Sequence, residues 1–468
     1  MRRVRLDRAY AIPIGSWAAS AARAAILSPR SVPNSRLFPR GSDPNYGASQ
    51  VSELASRPDA EITVGPQHAD VVGADNRAIQ IAIDALAPRG GGTVRLLPGR
   101  YVLDDAVRPC SNLTLAGDRE KTVLTRAPKV WSQIAVDADI GEKVIVPTDV
   151  SGFRPGMGVC LRDDAKPTAM SNAPLTVVRV DDGKLYLGEY IEHDWNAEHG
   201  GLVVNYFPLI YGRGVENVVI DGVTVDQRLD DRSGIELLRS SGVYFERCTD
   251  VVVRNVTAQN VEGDGICCAT CTRVTIEDCE TAHNIEYGVH LGSHSPHCKV
   301  LRCDIHHNGA DGLYLCWGVR HALVADNTIH HNGYVKTRNG ISIGHKDTDN
   351  LLTGNRIFEN ICHGVSFRRK TEPNGAHRNT FRENVIENNG APGVRGCGIH
   401  VNGVTRDLLL ERNAIREMRF GEERYQRHAL RLEVDVSGVR MVDNQIEGHP
   451  DAAIVDRSGS PDNELQTV

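Results

Sequence analysis

The feature that most constrains the fold of this 468-residue chain is a short sequence repeat. Its marker is a six-residue segment with a polar residue first, an aliphatic residue or threonine third and usually asparagine sixth. The clear copies read DGVTVD, NVTAQN, CETAHN, CDIHHN, NTIHHN, NRIFEN and NVIENN and begin at residues 221, 255, 279, 303, 327, 355 and 384, and weaker copies begin at 413 and 444. Self-similarity at a period of 24 to 34 residues indicates a solenoid.

Each marker lies between two apolar segments that read as short strands. One precedes it, as at 251–253 and 323–325, and a strand of the form Gly-aliphatic-x-aliphatic follows, with glycines at 265, 288, 312, 340, 364 and 398. Such a repeat has no helix and cannot bury its apolar face alone, so copies must stack as parallel strands about 4.8 Å apart. The leucine skeleton of a leucine-rich repeat is absent. We therefore predict an all-β fold, a right-handed single-stranded parallel β-helix whose sixth-position asparagines form an internal ladder.

Upstream of the repeats, the segment 74–86 has apolar residues at 78, 79, 82, 83 and 86, which predicts an amphipathic helix. A helix there would cap the solenoid and protect its exposed strand edges. The predicted organisation is an Arg-rich, poorly ordered leader at 1–65, the capping helix and first coils at 66–125, a β-hairpin insertion at 126–212, the main repeats at 213–455 and a polar tail at 456–468.

Charge and composition exclude two classes of partner. Residues 1–42 carry eight arginines and one acid, so the remaining residues sum to −14 within a total of −7, and this acidic body argues against nucleic acid. No apolar run approaches the length of a membrane span. The small-residue stretch at 11–25 reads either as a secretion signal or, because Arg23 interrupts it, as a leader of another kind. Secreted, periplasmic and cytoplasmic locations therefore stay open.

The twelve cysteines do not form a short disulfide framework, since ten of them lie inside the repeats between residues 248 and 397. We expect them to be small buried core residues. Cys279 and Cys303 stack on adjacent rungs at a distance that a disulfide could span, but free thiols are favoured.

The stretch NRAIQIAIDALAPRGGGTVRLLPGRYVL resembles the opening of the pectate-lyase-like superfamily, which includes rhamnogalacturonases, polygalacturonases and tailspikes. The resemblance covers residues 66–125 and 213–455. It implies a β-helix and, by analogy, an activity on a polysaccharide or oligosaccharide. Because β-helix proteins of this type are sometimes trimers, a homotrimer is a further implication.

One face of the predicted solenoid gathers residues that carry chemistry. Side chains alternate along a strand, so the residue two after each repeat glycine should face outward. These outward residues are Cys267, His290, Tyr314, Ser342, Ser366 and His400, and Arg431 takes the same place in a degenerate copy that begins with Ala429. The residue before each glycine adds Asp264 and Asp311, and the segments after the strands add His345, Asp347, Arg368, Arg369, Lys370 and Glu372. We interpret this face as a substrate groove rather than an idle polar surface.

The favoured mechanism is that of a polysaccharide lyase. Arg368 and Arg369 would neutralise a uronate carboxylate, so that a base can remove the C5 proton and the glycosidic oxygen can leave. Lys370, His345 or Tyr314 would serve as the base or the acid, with His290 beside them. Asp347, Arg369, Glu372, His400 and Arg431 are predicted to contact the substrate.

The first alternative is an inverting glycoside hydrolase. Asp264 and Asp311 occupy the same column two rungs apart, roughly 9.6 Å at the strand spacing, near the upper edge of the inverting range of about 6.5–9.5 Å. Glu262–Gly265 resembles the Asn-Thr-Asp-Gly motif of polygalacturonases, which assigns the motif's acid to Asp264, and Ser366–Lys370 loosely resembles their Arg-Ile-Lys motif. The family's paired acid on the next rung is replaced by Glu286 and Tyr287, which favours a lyase.

Two further alternatives are a sugar epimerase, which uses the same proton abstraction without elimination, and a non-catalytic glycan-binding solenoid. Calcium could assist a lyase through Asp264, Asp311 or Asp347, although no loop matches a dense oxygen cage. His283, His307 and His331 fall in one column, with His306 and His330 alongside, and such imidazoles could bind zinc or copper. Stacked surface histidines beside an asparagine ladder are commoner, so no metal site is predicted.

Overall fold

The computed structural model describes residues 59–164, 174–227 and 241–466. The predicted leader lies outside these ranges except for its last seven residues. Within them the chain winds through three long parallel sheets, and successive rungs each add one strand to every sheet. This arrangement confirms the parallel β-helix expected from the repeat.

The strands that precede the repeat markers form sheet 1. In sheet order they are Val71–Val72, Glu61–Gly65, Gly92–Leu96, Leu113–Ala116, Glu216–Asp221, Thr249–Arg254, Thr272–Glu277, Lys299–Leu301, Leu323–Ala325, Leu351–Thr353, Thr380–Arg382, Leu409–Glu411 and Arg440–Val442. The markers themselves supply most of sheet 2. Its strands are Gly99–Leu103, Thr122–Arg126, Thr224–Asp226, Thr257–Gln259, Glu280–Ala282, Asp304–His306, Thr328–His330, Arg356–Phe358, Val385–Glu387, Ala414–Arg416 and Gln445–Glu447.

The glycine-led strands form sheet 3, which carries the candidate groove. In order they are Ile210–Arg213, Ser241–Glu246, Asp264–Ala269, Val289–Gly292, Leu313–Cys316, Ile341–Ile343, Val365–Phe367, Gly396–Val401, Gln426–Leu432 and Ile454–Asp456. A two-residue parallel pair, Thr405–Arg406 with Val436–Ser437, extends the last rungs. Short 3₁₀ turns occupy Ala87–Arg89, Ala197–His199 and Gly421–Glu423.

Identical positions of successive rungs stack in the core. In sheet 3 one buried column holds Ile266, Val289, Leu313, Ile341, Val365, Ile399 and Leu430. Each fully buried aliphatic side chain contributes about 1.5–3 kcal/mol. Non-glycine residues with a left-handed backbone turn the corners between sheets, and His283, His307 and His331, with φ of 58°, 51° and 54°, do so after sheet 2. Histidine is among the residue types that tolerate this conformation.

Two ladders of buried asparagines join the rungs. The sixth-position ladder runs through Asn284, Asn308, Asn332, Asn360 and Asn389, each Nδ2 donating to the next Oδ1 at 2.9–3.0 Å. A second ladder uses first-position residues, Asn327, Asn355, Asn384, Asn413 and Asn444, at 2.8–2.9 Å. The first ladder confirms the prediction. The second shows why asparagine recurs at the first position as well.

Replacing Asn332 with Ala is expected to lower the free energy of unfolding by about 3 kcal/mol, because it leaves several buried polar groups without partners. The side chain accepts from the backbone N–H and Nδ2 of Asn308 and donates to Ile305 O and Asn360 Oδ1. Urea denaturation followed by circular dichroism measures the change. Gln445→Ala, an exposed change on sheet 2, is the control and should stay within 0.5 kcal/mol or so of the parent. Equal stability of the two variants would contradict a structural role for the ladder.

The single α-helix among the described residues, Asn76–Leu86, lies at the N-terminal end of the solenoid. Asp75 caps it by accepting from the Ala78 N–H at 2.9 Å. Ile79, Ile83 and Leu86 are buried on its inner stripe, which packs against the first strands of sheet 1. The predicted amphipathic helix is therefore present, and its apolar face is paired with the solenoid.

A six-stranded antiparallel sheet stands between the first coils and the main repeats. Its strands are Trp131–Gln133, Leu202–Val204, Gly158–Arg162, Leu175–Asp181, Lys184–Leu187 and Val144–Ile145. A core of its own, including Val159, Leu185 and Trp195, holds the strands together. All twelve cysteines lie in the described ranges and are free thiols, Cys279 and Cys303 included. Among the described residues no helix is long and apolar enough to cross a membrane.

Candidate functional site

The strand register of sheet 3 brings the predicted outward residues into one column. From the first rung onward it contains Tyr211, Tyr244, Cys267, His290, Tyr314, Ser342, Ser366, His400 and Arg431. The column predicted from the glycine repeat is therefore confirmed. Its middle is more closed than expected, since Cys267, His290 and Ser342 are buried beneath neighbouring side chains.

A carboxylate orients the imidazole in this column. Asp264 Oδ2 lies 2.9 Å from His290 Nδ1, and the Tyr287 N–H donates to Asp264 Oδ1 at 3.3 Å. Cys267 Sγ lies 3.6 Å from the same imidazole nitrogen. Both Asp264 and His290 are almost fully buried, so the pair is rigid. Such a contact fixes which nitrogen of His290 points towards its neighbours.

Two tyrosines form the wall next to His290. The rings of Tyr287 and Tyr314 stack in parallel with centroids 4.0 Å apart, and His290 meets both rings edge-on at 5.2 and 5.1 Å. Burial is the main cause that raises the pKa of each phenol well above its usual value of about 10. Both hydroxyls therefore stay protonated at neutral pH and can act only as proton donors.

Arg368 is held mainly by internal partners. Its guanidinium donates to Ser342 Oγ at 2.8 Å, to Leu315 O at 2.5 Å and to Gly344 O at 3.2 Å, and it lies over the Tyr314 ring at 4.3 Å. The side chain is only 16% exposed. Most of its donors are thus already used, which does not fit the predicted neutralisation of a substrate carboxylate. The structure favours a role in holding Tyr314.

Asp347 also differs from the sequence prediction of a substrate contact. The side chain is fully buried, with Oδ1 accepting from the N–H groups of Gly318 and Val319 and Oδ2 accepting from that of Gly344. Arg368 Nη2 lies 3.5 Å from Oδ2. Its carboxylate therefore fastens the turns after two sheet 3 strands and is shielded from a ligand.

The segment beyond the sheet 3 strands presents an imidazole and two cations. Burial, together with the charges of Lys370 and Arg368, lowers the pKa of His345 to about 4. Burial and Arg368 also lower the pKa of the Lys370 ammonium. Within the ranges that the structure describes, neither Lys370 nor the exposed Arg369 forms a side-chain hydrogen bond or ion pair. This part of the groove is positive although the chain as a whole is acidic.

Trp317 is a groove residue that the sequence did not single out. It is 48% exposed, and its ring lies 5.3 Å from that of His345 on the neighbouring rung. An exposed indole beside polar groups is a surface on which a sugar ring can pack. The signal that could have found it is its place five residues after Gly312, which matches the place of His345 after Gly340.

Asp311 occupies the predicted column with Asp264 but is closed off. It is completely buried, and Oδ1 accepts from both the N–H and Nδ2 of Asn339 at 3.0 and 2.7 Å. Its Oδ2 is buried without a hydrogen-bond partner, and burial raises the pKa of the carboxyl. Two buried carboxyls do not flank a site that a sugar chain can reach, which weighs against the hydrolase alternative.

The remaining predicted substrate contacts are already paired, His400 and Arg431 with an acid at the far end of the outward column and Glu372 with a cation. His400 Nε2 lies 3.3 Å from Glu433 Oε1, and Arg431 donates to the same oxygen at 2.5 Å. Glu372 lies off the sheet and pairs with Arg406 at 3.0 Å. These residues are separate from the His290 cluster. Their paired charges make them weaker candidates for binding an anionic sugar than Arg369 and Lys370.

A small cleft adjoins the Asp264–His290 pair. Its lining comprises Ser241, Tyr244, Asp264, Cys267, Ala269, His290, Gly292 and Ser293. The cleft lies on the outer column of sheet 3, Tyr314 is the next residue of that column after His290, and the positive segment lies in the turns after the next two strands. We refer to the cleft, Tyr314, Trp317, His345 and Lys370 together as the groove.

Calcium does not fit the groove. The oxygens of Asp264 and Asp347 bind imidazole and backbone groups, and Asp311 is closed off, so the three carboxylates form no oxygen cage. Two groups of metal-capable donors occur among the described residues. One is Asp264, Cys267 and His290, whose nitrogen and sulfur donors suit zinc better than calcium, and the other is His283, His306 and His307 on sheet 2.

Comparison with known proteins agrees with this architecture. Residues 241–415 match the family described as right handed beta helix region. The chain is a right-handed parallel β-helix protein. The same fold occurs in the mannuronan C-5 epimerase AlgE4 A-module of Azotobacter vinelandii, at 15% identity over 86% of this chain and 95% of the module, with a TM-score of 0.56. It also occurs in the Dettilon tailspike protein, at 13% identity over 84% of this chain and 68% of the tailspike chain, with a TM-score of 0.52.

No curated protein sequence matches the chain. At these identities the structural likeness establishes a shared β-helix and nothing finer, in keeping with the pectate-lyase-like resemblance of the N-terminal segment. The assignment of an activity therefore rests on the groove itself.

Proposed function

We propose that this β-helix protein removes the C5 proton of a uronate residue within an acidic polysaccharide, with β-elimination as the expected result. The observation that carries the proposal is the combination of one group in the outward column of sheet 3 with two groups in the turns that follow its next two strands. A half-buried phenol that stays protonated, an imidazole that stays neutral and an unpaired ammonium occur on three successive rungs. These are the acid, the base and the cation that proton abstraction next to a carboxylate requires.

His345 is the proposed base. With its pKa lowered to about 4, the imidazole is neutral over the physiological range and can accept a proton. Cys316 Sγ lies 3.7 Å from Nδ1, which leaves Nε2 to face the substrate. The proton leaves C5 for Nε2, and the resulting negative charge spreads onto the uronate carboxylate.

Lys370 and Arg369 are the proposed partners of that carboxylate. Both are cations without an internal ion pair in the described structure, unlike Arg368. A cation at the carboxylate lowers the energy of the enolate-like intermediate, and its effect grows where water is partly excluded. The unpaired positive charge also explains how an acidic body can bind an anionic polymer locally.

Tyr314 is the proposed acid. In β-elimination the bond between C4 and the glycosidic oxygen breaks, a C4–C5 double bond forms and the phenol protonates the departing oxygen. Arg368 over its ring and Tyr287 against its other side hold the phenol in place. The Asp264–His290 pair packs against both tyrosines and acts as a positioning unit, and Trp317 offers a surface for a neighbouring sugar.

Epimerisation at C5 is the second candidate. It shares the first step but returns a proton to the opposite face of C5, with no bond to the next sugar broken. The β-helix likeness to a protein named as a mannuronan C-5 epimerase, which extends over 95% of that module, favours keeping it. A glycan-binding solenoid without catalysis is the outcome if neither reaction occurs.

The test is incubation of the purified protein with a panel of polyuronates and neutral polysaccharides in heavy water. We expect ultraviolet absorbance from an unsaturated uronate product, with polymer shortening measured by size-exclusion chromatography. Proton NMR of the product reports whether deuterium has entered at C5. A lyase gives absorbance and shortening, whereas an epimerase gives deuterium at C5 and a changed uronate composition without shortening.

New reducing ends without absorbance or deuterium would overturn the proposal in favour of hydrolysis. Binding of a polyuronate by isothermal titration calorimetry with no chemical change would reduce it to the glycan-binding alternative. The neutral polysaccharides serve as the matched control, since they lack the carboxylate that makes C5 acidic. They should remain unchanged in every signal.

A further inference from the structure

Five histidines cluster where the strands of sheet 2 end, on a different sheet from the outward column of sheet 3. They are His283, His306, His307, His330 and His331. Their rings stack between rungs, with centroids 5.0 Å apart for His306 and His330 and 4.9 Å apart for His307 and His331. Stacking explains a column of histidines. It does not explain how the nitrogens within each rung face one another.

Each of two successive rungs brings a pair of imidazole nitrogens within hydrogen-bond distance. His306 Nδ1 lies 2.9 Å from His307 Nδ1, and His330 Nδ1 lies 2.7 Å from His331 Nδ1. Two lone pairs at this distance repel unless a proton or a metal ion lies between them. In a tetrahedral zinc site two imidazole nitrogens, each about 2.05 Å from the ion, are about 3.3 Å apart, so small rotations of these rings would admit an ion.

Carboxylates hold the opposite nitrogens of the same rings. Glu280 Oε1 lies 3.4 Å from His306 Nε2, and Asp304 Oδ1 lies 3.1 Å from His330 Nε2. A histidine that binds a metal usually donates its other N–H to a carboxylate, which fixes the ring and raises its basicity. The carboxylates thus direct the Nδ1 atoms of His306 and His330 towards their neighbours.

A third imidazole completes a ligand set. The metal-binding atoms of His283, His306 and His307 all lie within 4.8 Å of one another, and His283 is exposed, so an ion can reach them from solvent. We propose that these three histidines bind a divalent transition-metal ion of the zinc class, with water as the remaining ligand. Nitrogen donors suit zinc, copper and nickel rather than calcium or magnesium.

Metal binding has a consequence for the solenoid. The ion would link the rung of His283 to the rung of His306 and His307. It would therefore stabilise the folded chain without taking part in the groove chemistry.

The experiment is titration of chelator-treated full-length protein with Zn²⁺ at neutral pH, by calorimetry and by thermal melting. We expect saturable binding and a rise in melting temperature. In His307→Asn the apparent affinity should fall at least tenfold, and the rise in melting temperature should be smaller. Asparagine tolerates the left-handed backbone at this position, so the turn is retained. Glu280→Gln, which removes the outer carboxylate, should weaken binding by about 10–100-fold.

His297→Asn is the matched control. His297 also has a left-handed backbone, with φ of 59°, and stacks on His321, but its ring belongs to neither close nitrogen pair. Binding should be unchanged in this variant. The proposal is overturned if the parent binds no Zn²⁺, or if His307→Asn binds like the parent. It is also overturned if only Cys267→Ala removes binding, because the ion then occupies the cleft donors instead.

Discussion

Replacing His345 with Asn is expected to lower kcat for C5 proton removal by about 10³-fold, within the ~10²–10⁴-fold that a general base contributes. Asn keeps the left-handed backbone of position 345, with φ of 58°, so the turn should remain. In the parent, activity should fall as pH drops through about 4, because His345 gains a proton there rather than near its ordinary pKa of about 6.5. The measurement is the pH profile of kcat on a polyuronate that the parent converts.

His294→Asn controls for the substitution itself. His294 has the same φ of 58° and lies in the corresponding turn two rungs earlier, but it is exposed. This variant should keep the parent's kcat and the parent's loss of activity at acidic pH. If His345→Asn also keeps both, His345 is not the base, and Lys370 becomes the remaining candidate in the groove. A base with the lysine's higher pKa would place the activity limb at alkaline pH.

How much of this structure could be predicted from the sequence depends on what a sequence repeat determines. Stacking equal positions fixes the strand register, so the outward column through His290 and Tyr314 could be derived from glycine positions alone. The same reasoning predicted the ladder through Asn332, because a buried amide at every rung has a neighbour to bind. Fold and column follow from periodicity, which is a local property of the sequence.

Burial within the column could not be predicted in the same way. Alternation tells which side of the sheet a residue faces, but long side chains from other rungs decide whether water reaches it. Arg368 bends back across the strands to Leu315 O and closes over Tyr314, while Asp347 turns inward to three backbone N–H groups. Both residues were predicted to meet substrate. The partners of Arg368 lie 24 to 53 residues away in the sequence, and those of Asp347 lie in turns that the repeat does not describe.

The orientation of the imidazole nitrogens and the exposure of aromatic rings could not be predicted from the sequence either. The histidine column was visible in the repeat, but the close Nδ1 pairs depend on ring rotations set by Glu280 and Asp304. Trp317 occupies the place after its strand that His345 occupies on the next rung, but the pattern does not tell whether a ring at that place is exposed. These features belong to side-chain geometry, and they decide chemistry more than fold.

Replacing Tyr314 with Phe is expected to lower kcat by about 10²–10³-fold while leaving KM nearly unchanged, because only the acid is lost. The ring remains, so its stack with Tyr287 and the cover of Arg368 should persist. Proton exchange at C5 separates the roles. In heavy water the variant should still take up deuterium at C5, since His345 can remove the proton, but the glycosidic oxygen leaves slowly without a donor.

Tyr211→Phe is the matched control for loss of a phenol. Tyr211 occupies the same outward column four rungs earlier, its pKa is also raised mainly by burial, and its hydroxyl bonds Glu246 at 3.0 Å. Because it lies far from the positive segment, this variant should keep the parent's kcat. Loss of both elimination and deuterium uptake in Tyr314→Phe would mean that the phenol is needed before the proton leaves C5, which would contradict its assignment as the acid. Unchanged elimination would remove Tyr314 from the mechanism and leave protonation of the oxygen to solvent.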